Sequence, residues 1–109
     1  MFKLLSKGIC VNPGISCGKS KIINSMEDID SVSNGDIVVL PNSDPMYAMA
    51  VMSASAVICE VGGKLSHICI VSLEMGIPCI TQAAGARKSI GDGQLIYVDA
   101  EKGEVYLAE

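Results

Sequence analysis

Glu60-Val61-Gly62-Gly63-Lys64-Leu65-Ser66-His67-Ile68-Cys69-Ile70-Val71 changes character twice within a few residues. The run entering it, Ala56-Val57-Ile58-Cys59-Glu60, is short and apolar and reads as a buried strand. Gly62-Gly63 breaks that strand with a turn. Ser66 to Met75 then reads as a helix, stopped by Gly76 and by Pro78 soon after. Strand, glycine turn and helix in succession argue for an α/β fold. The only histidine of the chain, His67, stands where turn becomes helix.

Upstream, Ile37-Val38-Val39-Leu40 follows Gly35-Asp36 and ends at Pro41, the pattern of a second buried strand. Asp44 before Pro45 fits an N-cap with proline at the first helical position, and predicts a helix over Met46–Met52. Met46, Met49 and Met52 fall at i, i+3, i+6 on it, a stripe expected to pack into the core, with a docking surface for a partner domain as the alternative. Nearer the start, Gly8–Val11 and Ser20–Ile23 read as short strands around turns at Asn12-Pro13-Gly14 and Cys17-Gly18. Downstream, Cys79–Thr81 reads as a third central strand, and Gly85–Ile90 as a loop or single helical turn on which Arg87 and Lys88 face solvent. Gln94–Val98 and Glu104–Leu107, joined by Asp99–Gly103, form an antiparallel hairpin. The expected architecture is one α/β domain over residues 1–109, a central sheet flanked by helices with a C-terminal β-hairpin.

Composition narrows the function. The 109 residues are 50% hydrophobic and 18% charged, with net charge -4 and no basic cluster, which argues against nucleic acid as a partner. No apolar run approaches the ~20 residues of a membrane span. Met1–Lys7 lacks the long apolar core of a secretory signal, so a cytoplasmic address is expected. Cys10, Cys17, Cys59, Cys69 and Cys79 never form C-x-x-C and are read as reduced, mostly buried small hydrophobes. His67-x-Cys69 is a poor metal pair, because residues two apart on a helix do not share a face; no metal site is expected. Pro13-Gly14-Ile15-Ser16-Cys17-Gly18-Lys19-Ser20 is close to a P-loop, but Pro13 replaces the first glycine and Lys21-Ile22-Ile23 continues as strand instead of opening a helix. Gly14 and Gly18 are therefore read as turn residues and no nucleotide site is assigned.

The segment around His67 has the makings of a phosphate-handling loop. Glycines let backbone N–H groups approach an anion, and a helix start favours negative charge by roughly 0.3–1 kcal/mol. A neutral imidazole is a nucleophile. Ser66 is placed to anchor the turn or donate to a phosphate oxygen, and Lys64 to balance its charge. On spacing alone, a helix-start histidine beside an ordinary tight turn accounts for the same residues.

Gly62-Gly63-Lys64-Leu65-Ser66-His67-Ile68-Cys69-Ile70-Val71, followed by Gly76-Ile77-Pro78, resembles the signature of the phosphohistidine, or swivelling, domain of phosphoenolpyruvate-utilising enzymes. That family includes phosphoenolpyruvate synthase, pyruvate phosphate dikinase, the first enzyme of the sugar phosphotransferase system and rifampicin phosphotransferase. The resemblance extends to Gly8, Pro13-Gly14 and Gly18, to Gly35–Val39 and Asp44-Pro45, and to Gly91–Gln94, Val98-Asp99 and Gly103–Val105. It implies a swivelling β/β/α fold in which His67 is transiently phosphorylated, with Gly62, Gly63, Lys64 and Ser66 supporting the phosphate. It also implies partners: an ATP-grasp-like nucleotide-binding domain and a phosphoenolpyruvate-binding domain, which hold Mg and ATP or phosphoenolpyruvate while this domain binds no cofactor and does not turn over alone. Two positions depart from the pattern. Leu65 stands where several members have Thr, which places the chain nearer the synthase-like and antibiotic-phosphotransferase-like branches and removes one hydroxyl contact to phosphate, and Leu73 stands where Arg is usual, which puts docking to a standard partner domain in doubt. The rival expectation is a binding or regulatory module that keeps the fold and has lost its phosphotransfer partners. A swivelling subunit of a dehydratase is a third reading and gives His67 no role.

Overall fold

A computed structural model describes residues 2–108. Eight strands form one sheet in the order β1-β8-β7-β3-β4-β5-β6-β2: β1 (Lys3–Lys7), β2 (Ile9–Asn12), β3 (Ile15–Ile22), β4 (Ile37–Leu40), β5 (Ala56–Cys59), β6 (Cys79–Thr81), β7 (Leu95–Asp99) and β8 (Glu104–Leu107). β3 to β6 run parallel, and the remaining pairings are antiparallel. The fold is α/β, as the sequence leads one to expect. The three helices are short: α1 (Ala48–Val51), α2 (His67–Met75) and α3 (Ala86–Ser89).

Topology bends this sheet back on itself. β1 and β2 are its two edges, yet Gly8 alone separates them along the chain. Two residues cannot span more than ~7 Å, so the edges meet there. The Gly8 amide donates to the Gly103 carbonyl at 2.8 Å, fastening the seam to the β7–β8 turn. Adjacent residues of β4 point to opposite faces, and both faces are buried. Ile37 and Val39 join Ile58, Ile80, Ile96, Val98 and Val105 inside the curl, with Ala86 and Ile90 from α3 and its exit. Val38 and Leu40 join Val57, Cys79, Tyr47, Val51, Ile68 and Cys69 in a second core beneath α1 and α2. An unbroken apolar strand such as β4 is what two-sided burial requires.

Several sequence expectations change. β1 has no obvious strand signature because its alternation is reversed: Leu4 is 48% exposed while Ser6 is buried, beside a break in register. Cys17-Gly18 is not a turn; β3 runs straight through it, with Gly18 paired to Ile96. A Cβ on Gly18 would stand 2.8 Å from the Gly35 carbonyl oxygen, so the glycine serves close backbone approach. Gly14 keeps its turn role, at φ +145. The polar stretch after β3 contains a 3-10 segment, Met26–Ser31, and the expected helix over Met46–Met52 is a 3-10 turn, Pro45–Tyr47, running into the single turn of α1. Asp44 caps it as expected, accepting from the Met46 amide at 2.9 Å. The methionine stripe lies outside the core: Met46, Met49 and Met52 are 39%, 69% and 60% exposed.

Candidate functional site

Because β3 to β6 are parallel, the loops that leave them open along one edge of the sheet: Asn24 after β3, Asn42-Ser43 after β4, Glu60 to Ser66 after β5, and Gln82 to Gly85 after β6. Ligands of open parallel sheets gather at this edge. His67 is there, exposed, as the first residue of α2, while its neighbours Ile68 and Cys69 are fully buried and hold the helix start against the sheet.

The two glycines before it differ. Gly62 sits at φ +149, and a Cβ there would lie 3.0 Å from Ser66 Oγ and 3.1 Å from Ser43 Cβ, so this position calls for glycine. Gly63 has open space where a Cβ would stand. Hydrogen bonds hold the loop from both sides. Thr81 donates through Oγ1 to the Gly62 carbonyl at 2.8 Å, and Ser66 donates through Oγ to the Gly63 carbonyl at 2.6 Å. Ser66 thus closes the turn. Capping of α2 passes to Ser43, whose Oγ accepts from the Ile68 amide at 2.8 Å. The amides of His67 and Cys69 take no partner among the described residues, leaving donors in the first turn. Lys64 is exposed and forms no ion pair among the described residues. At its other end, α2 stops on Gly76 at φ +70, with the Ile77 amide donating to the Ser72 carbonyl.

Sequence reasoning missed three contributors, Ser43, Arg87 and Asn24. Ser43 reads only as part of a polar run, since a cap supplied from another loop leaves no local pattern. Arg87 does not face solvent as a free turn residue: its Nε donates to Glu60 Oε1 at 3.0 Å, its backbone amide to Glu60 Oε2 at 2.7 Å, and its Nη1 to Asn24 Oδ1 at 2.9 Å. Three of the edge loops are thereby tied together. Asn24, Glu60, Gly85, Arg87 and Lys88 line an open cleft of about 380 Å³.

Five free cysteines are present; Cys59, Cys69 and Cys79 are buried, Cys10 half-buried and Cys17 exposed. Burial pushes the Cys59 thiol up to about 11. In the interacting pair, hydrogen bonding from Cys79, helped by Ser66 and Thr81, makes Cys69 the more acidic, while the Cys69 partnership and burial push Cys79 up. Among the described residues no three His, Cys, Asp or Glu side chains group as metal ligands, and no helix is long and apolar enough to cross a membrane.

Comparison with known proteins decides the family. The profile of the "PEP-utilising enzyme, mobile domain" matches residues 32–103, which include β4 to β7 and the whole His67 loop. The chain belongs to this family. Among relatives of this mobile domain, a probable phosphoenolpyruvate synthase of Archaeoglobus fulgidus is 40% identical over 104 residues, 95% of this chain and 14% of the relative. The phosphoenolpyruvate synthase of Pyrococcus furiosus is 36% identical over 95% of this chain and 13% of its own length. A pyruvate kinase of Lactobacillus delbrueckii is 37% identical over 96% of this chain and 18% of its own. The mobile domain therefore spans less than a fifth of each of these relatives. Solved structures share the fold: Enzyme I (nEIt) at TM-score 0.62 and 20% identity, covering 78% of this chain and 34% of that one, and aconitase X of Thermococcus kodakaraensis at TM-score 0.67 and 13% identity, covering 95% and 98%.

Proposed function

We propose that this mobile domain is a phosphoryl carrier and that His67 is the residue that carries the group. The observation that supports the reading best is the coincidence of family and place: the matched region contains Gly62-Gly63-Lys64-Leu65-Ser66-His67, and His67 is the exposed first residue of α2 beside two free amides. In the forward step the lone pair of an imidazole nitrogen attacks the donor phosphorus; a P–N bond forms, the donor P–O bond breaks, and the leaving oxygen keeps the electron pair. In the second step an acceptor oxygen attacks the same phosphorus and the P–N bond breaks, returning neutral histidine once the acceptor's proton is released. Positioning and charge stabilisation do most of the work in such transfers. Here Gly62 and Ser66 shape the turn, Gly63 leaves room beside it, the first-turn amides donate to phosphate oxygens, and Lys64 offsets their charge.

The donor and acceptor sites belong to partners: an ATP-grasp-like nucleotide-binding domain and a phosphoenolpyruvate-binding domain, with Mg and ATP or phosphoenolpyruvate held there. The share of each relative that lies outside the mobile domain, more than four-fifths, supports that division of labour. Five free cysteines suit a reducing compartment, and the cytoplasm is part of the proposal.

The test is a mass measurement on protein taken from its native cell, or incubated with partner domains and labelled phosphoenolpyruvate or ATP. One phosphate on His67, labile in acid and stable in alkali, is expected. Label that persists in His67→Ala sinks the assignment.

A further inference from the structure

Outside the curl the sheet is covered unevenly. α1 and α2 lie over β4, β5 and β6, where Val38, Leu40, Val57 and Cys79 are buried. Over β1, β8, β7 and β3 the outward side chains reach water. Register aligns them in three rows across the four strands. The middle row is Leu4, Tyr106, Tyr97 and Cys17. Lys7, Glu104, Asp99 and Ile15 stand at one end of the strands, and Leu95 and Lys19 at the other. The Phe2 ring lies on the same face, stacked on Tyr97 with centroids 5.3 Å apart, and Tyr97 stands 6.3 Å from Tyr106. Residues between the rows, Ile96, Val98 and Val105, point the other way into the core. Ile15 is 63% exposed, and Phe2, Leu4 and Leu95 are about half exposed. Contiguous apolar surface of this kind marks an interaction site.

Charge is divided along the strands. At one end Lys7 lies 3.9 Å from Glu104 and leaves Asp99 without an ion pair among the described residues. At the other, Lys19 is exposed and likewise forms none among them. A face with a free anion at one end, a free cation at the other and an apolar row between them complements itself.

We propose that this antiparallel face is the interface of a symmetric dimer, its occupant a second copy of this chain turned over about a two-fold axis that crosses the strands at the middle row. The dimer stands independently of the carrier role of His67, which follows β5 and lies outside the contact. A two-fold contact sets one surface against itself. This axis brings Tyr97 against Tyr97, Tyr106 against Tyr106 and Cys17 against Cys17, and carries Lys19 of each copy to the end where the other holds Ile15 and Asp99. The lysine stem covers Ile15 while its ammonium meets the Asp99 carboxylate. An axis along the strands instead lays Asp99 against Glu104, like charge on like, so the charge pattern selects the crossing axis. Four strands about 4.8 Å apart and about five residues long make a face of roughly 300 Å² in outline. That is small beside the roughly 800 Å² per partner of a stable complex, so the dimer is weak, with a Kd on the order of 10–100 µM.

The experiment is sedimentation of the full 109-residue chain under reducing conditions, from about 1 µM to about 1 mM, a range that brackets the expected Kd. The mass is expected to rise from one chain to two and no further, because a two-fold contact closes. Lys19→Glu, at an exposed position, is expected to keep its circular dichroism and weaken association roughly tenfold or more, and adding Asp99→Lys to it is expected to restore the Kd to within about threefold of the parent. Cys17 reports the axis. Of the five cysteines it is the exposed one, and a short bismaleimide added to the dimer is expected to join Cys17 to Cys17, a product identified by peptide mass and lost in Cys17→Ser while the dimer persists. A single-chain mass at every concentration overturns the proposal and leaves the face to flanking polypeptide. Association that Lys19→Glu leaves unchanged, a double variant no better than Lys19→Glu, or a dimer in which Cys17 does not cross-link to Cys17 overturns it as well, by placing the contact elsewhere.

Discussion

The two faces of the sheet are built from the same strands and finished differently. Inside the curl, Ile37, Val39, Ile58, Ile80 and Ile96 are closed in by the sheet itself and by α3. On the other face, Val38, Leu40 and Val57 are covered by α1, α2 and the 3-10 turn before them, thin cover that carries exposed methionine, leucine and isoleucine on its far side. Residue by residue the two cores alternate along β4, so composition does not distinguish them. What differs is closure: one face is sealed by the chain's own sheet, and the other presents the His67 loop and exposed apolar side chains. The sealed core and the face that carries the His67 loop are thereby separated by one strand's thickness.

That division makes quantitative predictions. Ile58→Ala, inside the curl, is expected to cost about 2–5 kcal/mol in urea unfolding, because a sealed core relaxes little around a cavity. A cost below 1 kcal/mol would show the curl to be loosely packed and remove the contrast. Cys59, at the end of β5, tests burial beneath the site. With its thiol raised from 9.0 to about 11 in the folded protein, its contribution is complete below pH 9 and is lost as pH climbs toward 11. The loss is on the order of 2–3 kcal/mol, measurable as a fall in urea midpoint over that window and smaller by that amount in Cys59→Ala, where Cys79, also pushed up, keeps its own share of the fall.

Within the loop, Gly62→Ala is expected to destabilise by about 1–3 kcal/mol through its backbone conformation. Gly63→Ala is expected to shift thermal unfolding by only a few tenths of a kcal/mol; equal effects would deny the steric difference between the two. The smallest effect belongs to the outer surface, where Met49→Ala is expected to stay within about 0.5 kcal/mol of the parent by chemical denaturation.

Much of this was readable from the residues, for reasons that differ by element. β4 and β5 announce themselves because two-sided burial leaves unbroken apolar runs between turn residues. α2 does so through Gly76 and Pro78 at its end, and the C-terminal hairpin through alternation around a Gly-bearing turn. β1 was hidden by the inverted burial of Leu4 and Ser6. The role of Gly18 was hidden because its constraint comes from Gly35 across the sheet. The site shows the same split. His67, Gly62, Gly63, Lys64 and Ser66 are neighbours in sequence, so a linear reading takes them as one candidate group, whereas Ser43, Asn24 and Arg87 reach the same edge only through the parallel order of the strands. The methionine spacing has helical periodicity yet lies outside the core, because periodicity identifies a shared face without saying whether that face looks inward.

β1 pairs with β8, and Lys3 stands opposite Leu107. The polypeptide therefore enters and leaves this unit at neighbouring points. Spliced into a longer chain, such a unit would hang like a door from paired hinges on one jamb, free to turn as a rigid leaf without either tether having to cross its face.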